Sequence, residues 1–453
     1  MKTKSVLFLI IATLALSGCM TAALEFPSLK FPESWASNEN QNLVEEVDIS
    51  HLKNWWFNFN DSSLNTLIEK MLVNNPDRNI AKSRISEARA IRKTTQSSLF
   101  PEVGFGAEGG RLNNGQATGN YYETGFDASF EVDIFGVNRN RLDAADSRIN
   151  SFEAQYQDIS LTLISEVARV YADFRAAQKK IAIANKNLII QKKILSLIRQ
   201  QYEVGETPLL DLERSESLVN TTEASIPEFK SEADRARLQL TVLSGVLPAE
   251  ILPIIQADAD IASLRIEPIL ISSASVLNNR PDIRASIASM TEATSLSYSA
   301  AASILPTFSL SAFYGVGKTA LINSTNIWTL AGGTAVSLLN FGRIEGEIDA
   351  TREREKQAFE NYRKTFLNAI VEVETALVGA IRLSAQRVSI DRAYNNAENA
   401  LKLSQQLYVE GEISFIDLLD AQRTLNEVDT ARVSTQQVQV NSVISLYKAM
   451  GVY

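Results

Sequence analysis

One cysteine and one histidine in 453 residues leave this chain nearly without the side chains that hold metals, form disulfides or act as nucleophile and base. Cys19 and His51 are those two residues, so no Cys/His metal cage, no thiol–imidazole pair and no internal disulfide can be built within the chain. Carboxylate-only chemistry of the glycosidase kind stays formally open, although the acidic residues recur at matching points along helices, which suits exposed faces better than a pocket. Gly315-x-Gly317 is not followed by the spacing of a phosphate loop, and nucleotide binding has no other support. The expected protein is therefore not an enzyme and needs no cofactor or metal. Positive charge is also short, with 44 Lys and Arg against 53 Asp and Glu and a formal charge of −9. Without a basic, aromatic-interleaved cluster, nucleic acid is not an expected partner. No run beyond the N-terminal leader reaches the ~18 consecutive apolar residues of a membrane-crossing helix. If this chain crosses a bilayer, it does so as a closed barrel of strands. The 20 Gly and 11 Pro are spread without a shift that would mark a linker.

The N-terminus carries an address. Val6 to Leu16 is an apolar run behind Lys2 and Lys4, the pattern of a secretory leader. It ends in Leu16-Ser17-Gly18-Cys19, which resembles the lipobox cut by the lipoprotein signal peptidase; removal of residues 1–18 would leave a charge of −11. Met20, where some lipoproteins have Asp, resembles the sorting pattern of the outer membrane. A lipid on Cys19 anchors the chain without showing that it also spans the membrane.

The chain also repeats itself. Phe135-Gly136 recurs as Phe341-Gly342, Ile164-x-Glu166-Val167 as Ile370-x-Glu372-Val373, Tyr202 to Asp211-Leu212 as Tyr408 to Asp417-Leu418, and Gly245 as Gly451, all 206 residues apart. Pro76-Asp77 and Leu99-Phe100-Pro101 recur 205 residues on, as Pro281-Asp282 and Ile304-Leu305-Pro306. This period is far longer than that of a solenoid, so a whole unit has been duplicated. Each copy reads as helix, two strands, long helix, turn, helix. The first helix is expected from Leu64 to Gln96, ending before Pro101. Apolar Phe126, Ala128, Phe130, Val132 and Ile134 alternate with Asp127, Ser129, Glu131 and Asp133, the period of two that marks a strand with one greasy and one wet face. Phe308 to Val316 alternates likewise in the second copy, except that Phe313 breaks the pattern; Ile327 to Leu339 alternates weakly. Turn residues at Asn113-Asn114-Gly115 and Asn323-Ser324 separate the strands of each pair.

The long helices follow the strands. From Asn138 to Glu203 there is neither proline nor glycine, which permits an unbroken helix of about 100 Å at ~1.5 Å per residue. Leu163, Val167, Val170, Phe174, Ala177, Ile181, Ala184, Leu188, Gln191, Leu195, Ile198 and Tyr202 form a heptad seam along it, broken only by Gln191. The seam 206 residues later, Ala369 to Tyr408, is smaller and more polar, which suits helices that line or flank a space.

Together these motifs resemble the TolC family of outer-membrane factors, in its outer-membrane efflux lipoprotein branch, over essentially the whole mature chain. The motifs are Trp55-Trp56 through Phe59-x-Asp61 to Leu67-Ile68, Asn75-Pro76-Asp77, Ala81 to Arg89, Phe100-Pro101, Asp133-Ile134-Phe135-Gly136, Asn279-Arg280-Pro281-Asp282-Ile283, Leu305-Pro306, Asn340-Phe341-Gly342, and Gly411-x-x-Ser414-x-x-Asp417-Leu418-Leu419-Asp420-Ala421. Each is weak alone; their order on a twofold repeat behind a lipobox is specific. The resemblance implies an α+β membrane protein: a homotrimer whose four strands per chain make a twelve-stranded barrel in the outer membrane, continuous with a periplasmic barrel of coiled-coil helices. Four strands cannot close alone, and open edges are not tolerated in lipid. Phe126 to Ile134 would then meet outer-membrane lipid, with Asp127, Glu131 and Asp133 toward the lumen.

The same resemblance makes the two helix-ending turns the periplasmic tip, where adaptors dock: Gly205, Thr207, Pro208 and Leu209 in one, Gly411, Ile413, Ser414 and Phe415 in the other. Plain helix-connecting turns are the alternative. It also carries a periplasmic gate onto Asp211, Tyr408, Asp417 and Asp420. Asp417 and Asp420 share a helical face, so a trimer would hold rings of three carboxylates that favour cations; solvated or capping carboxylates are the alternative. Ile413 departs from the pattern, since some members have an arginine there that ties neighbouring helices. The implied function is a passive exit duct of a tripartite efflux or type I secretion system, working with a periplasmic membrane-fusion adaptor and, indirectly, an inner-membrane transporter of the RND, ABC or MFS type. A periplasmic coiled-coil or adhesin-like lipoprotein that never inserts is the competing reading. The expected divisions are a leader at 1–18, a lipidated collar segment at 19–60, a first unit at 61–245, an inter-repeat collar segment at 246–268 and a second unit at 269–453. The cargo is not legible.

Overall fold

The structure, a computed structural model, describes residues 29, 32, 35–36, 53–113, 118–255, 273–318 and 324–452. Cys19 with its leader, His51, Asn114, Gly115, Asn323 and residues 256–268 of the expected inter-repeat segment lie outside the described residues.

Proline sets the first break. The helical pattern expected from Leu64 to Gln96 is two helices, α1 (Ser62–Asn74) and α2 (Pro76–Ser97), because Asn75, preceding Pro76, is held in an extended conformation. Then come β1 (Glu102–Asn113), β2 (Thr118–Val132), α3 (Val137–Glu203) and α4 (Leu209–Ser244). After two short helices, α5 (Pro248–Ile255) and α6 (Ser273–Asn279), the order returns as α7 (Pro281–Ala302), β3 (Thr307–Lys318), β4 (Thr325–Ala335), α8 (Arg343–Val409) and α9 (Phe415–Ala449). The two long helices, α3 and α8, have 67 residues each. No single described helix is long and apolar enough to cross a membrane.

Two compact units hold these elements, one built on residues 81–155 and 282–365, the other on 31–80, 156–281 and 366–453. Among its described residues the first contains an antiparallel sheet in the order β1-β2-β3-β4. Its register aligns Phe105, Phe126, Tyr314 and Trp328 across all four strands, and the rings of Phe105 and Phe126 lie 5.2 Å apart. Val103, Ala128, Ala312 and Leu330 form the next row of that face. Phe105 is 67% exposed, Trp328 74% and Leu330 73%, so an apolar sheet face stands uncovered. Phe313, which breaks the alternation, lies on the opposite face. A Cβ on Gly125 or Gly315 would come within 2.8 or 2.7 Å of its ring, so two facing glycines make the floor on which that ring rests.

Two strands end earlier than the alternation suggests. β2 stops at Val132 because the next residue turns to another task, described below; β4 stops at Ala335 and not at Leu339, at a point where its outer edge has no neighbouring strand in the chain.

The helical unit is organised around a buried polar knot. The Asp61 carboxylate caps α1 by accepting from Ser63 N (2.9 Å) and Leu64 N (3.0 Å), and its second oxygen accepts from the Tyr171 hydroxyl at 2.6 Å. Tyr171 in turn accepts from Arg175 Nε at 2.9 Å. Burial first, and then the bond to Asp61, push the Tyr171 hydroxyl up, so it stays protonated and donates. Around this knot pack Trp55, Phe59, Leu64, Leu67, Ile68, Met71, Ile164, Val167 and Tyr447, with the Trp55 ring stacked 5.3 Å from that of Tyr447. Each such side chain contributes about 1.5–3 kcal/mol through burial.

The last helix of each half is pinned at matching points. Asn75 Nδ2 donates to Leu243 O at 2.8 Å while its Oδ1 accepts from Asp77 N and Arg78 N, capping α2. At the corresponding position Arg280 donates to Ala449 O at 2.6 Å and pairs with Glu372 at 2.7 Å. An amide and a guanidinium thus hold equivalent helix ends.

The heptad seam of α3 is buried or half-buried along most of its length, but Tyr202 is exposed. Gln191 is 2% exposed and neither of its amide atoms has a partner among the described residues, a cost in stability of the kind that fixes helix register. In α8, Ala369, Val373 and Ala380 are buried while Arg387, Ile390 and Tyr394 are only half-buried, in keeping with its weaker seam.

Asp61→Ala is expected to lower stability by about 2 kcal/mol or more and Tyr171→Phe by about 1 kcal/mol, and the double variant by less than their sum, since both remove one hydrogen bond. Urea unfolding followed by tryptophan fluorescence checks this; strict additivity would show that the knot is not coupled.

Candidate functional site

Both long helices stop in the same way. Gly205 (φ 81°) and Gly411 (φ 76°) adopt the left-handed conformation that side chains resist, and nothing lies near the Cβ either would carry, so backbone geometry alone requires glycine. Glu206 N donates back to Gln201 O at 2.8 Å and Glu412 N to Leu407 O at 2.9 Å, closing the last turn of α3 and α8 identically. The helices then restart differently. Pro208 begins α4 with no side-chain cap, whereas Ser414 begins α9 with a capping box in which Asp417 Oδ2 accepts from Ser414 N (3.1 Å) and Ser414 Oγ (2.6 Å).

Two of the four expected gate residues, Tyr408 and Asp211, lie by one small apolar cluster. Ile198, Leu401, Phe415 and Leu418 are buried together, with Tyr408 and Leu212 against them. Tyr408 packs its ring 5.8 Å from Phe415 and donates its hydroxyl to Gln201 Oε1 at 3.1 Å, tying α8 to α3. Burial first, and then the charge of Asp211, push that hydroxyl up, so it remains a donor. Asp211 is mostly covered and sits 3.5 Å from Arg214. Asp417 is engaged in its capping box. Asp420 stands apart from the cluster, 69% exposed and 3.6 Å from Arg423.

The expected tip residues separate in the same way. Gly205, Pro208, Leu209, Gly411 and Ser414 are exposed, and Thr207 and Ile413 are half-buried. Phe415 is only 4% exposed, a correction to its expected place on the docking surface: it plugs the cluster and offers no side chain outward. Around the turns Val204 (71% exposed), Leu210 (57%), Val409 (80%) and Ile416 (49%) form apolar surface absent from the sequence reading. The available signal was their apolar character outside the heptad seam. Beside the tips, α3, α4 and α9 enclose a groove of about 1010 Å³ with Ile183, Phe229, Ile416 and Leu419 among its apolar walls and Lys180, Arg214, Asp420, Arg423 and Glu427 among its charged ones.

On the sheet, Asp127 and Glu131 lie on the polar face as expected, and Glu102, Glu108 and Glu123 join them through the register. The described residues of that face include five carboxylates and no lysine or arginine. Glycine-rich β1 shows too little alternation for its acids to have been assigned a face from sequence. Asp133 differs from expectation. It lies beyond the end of β2, its carboxylate accepting from Asn138 N (3.1 Å) and Arg139 N (2.8 Å) and pairing with Arg139, so it caps α3 instead of lining the sheet.

An uncovered apolar sheet face opposed by an acidic one, with long helices ending in paired turns, is what comparison with known proteins can now identify. Residues 67–246 and again 272–452 match the model of the outer membrane efflux protein family. The chain belongs to that family. It is similar to the cation efflux system protein CusC of Escherichia coli (strain K12), 27% identical over 449 residues and covering 97% of each chain. It is also similar to the pyoverdine export outer membrane protein OpmQ of Pseudomonas putida, at 27% identity over 97% of this chain and 95% of that one. Among solved structures, the outer-membrane channel OprN superposes with a TM-score of 0.86 at 26% identity, covering 95% of this chain and 99% of that chain. This efflux-family chain is thus an outer-membrane channel protein, and the reading as a coiled-coil lipoprotein that never inserts falls. The proteins it resembles are named for export and not for catalysis.

Phe415→Ala is expected to cost about 3–5 kcal/mol by leaving a cavity in the tip cluster, whereas Leu209→Ala should stay within ~0.5 kcal/mol. Protease sensitivity of the two turns across a urea series distinguishes them, and equal sensitivity would contradict the assignment of Phe415 to the interior.

Proposed function

We propose that three copies of this chain close a twelve-stranded wall in the outer membrane and a helical tunnel beneath it, and that the assembly is the passive exit duct of a tripartite efflux or secretion system. One observation carries this most directly: a four-stranded sheet with two open edges, apolar on one face and acidic on the other. In hydrocarbon those edges would leave backbone groups without partners, and only closure with further copies removes them. The row Phe105, Phe126, Tyr314 and Trp328 then meets lipid. Asp127 and Glu131, with Glu102, Glu108 and Glu123, line the lumen. The units 61–245 and 269–453 are duplicates, supported by the two family-model matches and by the repeated order of elements. Cys19, at the end of its lipobox, is the lipid anchor.

At the periplasmic end, Asp211, Tyr408, Asp417 and Asp420 form the gate. The Tyr408–Gln201 bond holds α8 against α3 in the closed arrangement, and Ile413 supplies no charged latch. The adaptor takes the turns, with Gly205, Thr207, Pro208, Leu209, Gly411, Ile413 and Ser414 and the exposed apolar side chains around them, and the adjoining groove. An inner-membrane transporter of the RND, ABC or MFS type is reached through that adaptor. CusC is named for cation efflux and OpmQ for pyoverdine export at the same 27% identity, so resemblance does not select the cargo. The acidic lumen face does set a preference: cations pass more readily than anions.

Planar-bilayer recordings across a salt gradient test this. Wild type is expected to show a reversal potential of the cation-selective sign. Asp420→Asn and the pair Asp127→Asn/Glu131→Gln should each move it toward zero, and Tyr408→Phe should raise conductance by loosening the gate. Unchanged selectivity and conductance in all of these variants would remove the carboxylates and the Tyr408 tie from the mechanism.

A further inference from the structure

The two hairpins of the sheet pair in matching registers. Glu102 pairs with Ser129 in the first and Thr307 with Ala335 in the second, so β1 maps to β3 by 205 positions and β2 to β4 by 206. These are the shifts that relate the flanking motifs, Pro101 to Pro306 and Phe135 to Phe341. Among the described residues the hairpins are joined through β2 and β3, from Tyr122 opposite Lys318 to Val132 opposite Phe308. The equivalent joint between β4 and β1 is missing, because those strands are the two edges.

We propose that β4 of one protomer pairs with β1 of its neighbour in the register obtained by carrying the β2·β3 joint across the repeat. Ala335 then faces Gly106, Val336 faces Phe105 and Leu338 faces Val103, and β4 lengthens by three residues to Leu338. This rests on the trimeric wall described above and specifies its closing seam. Parity agrees, since Val336 and Leu338 continue the apolar face of Trp328 and Leu330, where Val103 and Phe105 lie; a one-residue slip would turn them to the acidic face.

Two observations of exposure support it. β2 continues to Val132, where Phe308 pairs with it, and Val132 is half-buried, whereas its counterpart Leu338 lies beyond the end of β4 and is 86% exposed. The ring of Phe135 lies 6.3 Å from that of Phe308. Its counterpart Phe341 is 98% exposed, and the counterpart of Phe308 is Val103, 66% exposed. Both surfaces are left bare where the neighbour's strand would cover them.

Paired cysteines test the register in outer-membrane fractions of the full-length chain. Ala335→Cys with Gly106→Cys, and separately Val336→Cys with Phe105→Cys, should give reductant-sensitive covalent dimers and trimers on mild oxidation. Ala335→Cys combined with Gly104→Cys or Glu108→Cys should give at least ten-fold less. More cross-linking in those shifted pairs, with a trimer retained in native mass spectrometry, would overturn the register and leave the trimer standing. A wild-type protein that is monomeric in that measurement would remove the reading on which the register rests. Hydrogen exchange of the unmodified wild type gives a check free of substitutions: slow amides over Val336 to Leu338 support the extension of β4, and exchange as fast as in exposed loops overturns it.

Discussion

A strand edge in hydrocarbon has no water to satisfy its amides and carbonyls, and each unpaired group there costs several kcal/mol. This constraint governs the protein more than any single contact. The described residues of one chain form a four-stranded sheet with β1 and β4 unpaired on their outer sides, so that sheet cannot be stable in lipid alone. The uncovered aromatic row, the acidic opposite face and the bare segment after β4 all fit the proposed wall of several copies. The sheet's glycines serve the same wall, since the facing pair Gly125 and Gly315 leaves room for the Phe313 ring on the polar side.

The order of elements recurs along the chain, and positions 205 or 206 residues apart carry different chemistry. Asn75 caps a helix and pins a carbonyl with one amide; Arg280 does the pinning with a guanidinium and adds an ion pair. Asp173 on α3 accepts from Gln437 and Asn441 on α9, while the position 206 residues later is Gly379. The turns differ in the same way: both stop on a left-handed glycine, but only the second restarts with a capping box.

Much of this was legible in the residues. The proline- and glycine-free run from Asn138 to Glu203 is one helix, the seam from Leu163 to Ile198 is covered along most of its length, and the alternation at Phe126 marks a strand. Pattern reading failed where one side chain served two purposes. Asp133 fits the alternation yet caps a helix, and Phe415 follows a turn yet closes a core. It also failed where the deciding partner was distant in sequence: Phe313 is explained by Gly125, and the acids of β1 acquire a face only through pairing with β2. The break at Asn75 could have been read from Pro76, but the continuous helical pattern on both sides concealed it.

On this proposal the membrane-spanning wall exists only as an assembly of three chains. Sedimentation equilibrium in density-matched mild detergent, on protein extracted from the outer membrane, measures this most directly. A single species of three times the chain mass, with its strand content intact by circular dichroism, is the predicted result. A well-folded monomer with the same strand content would contradict the account.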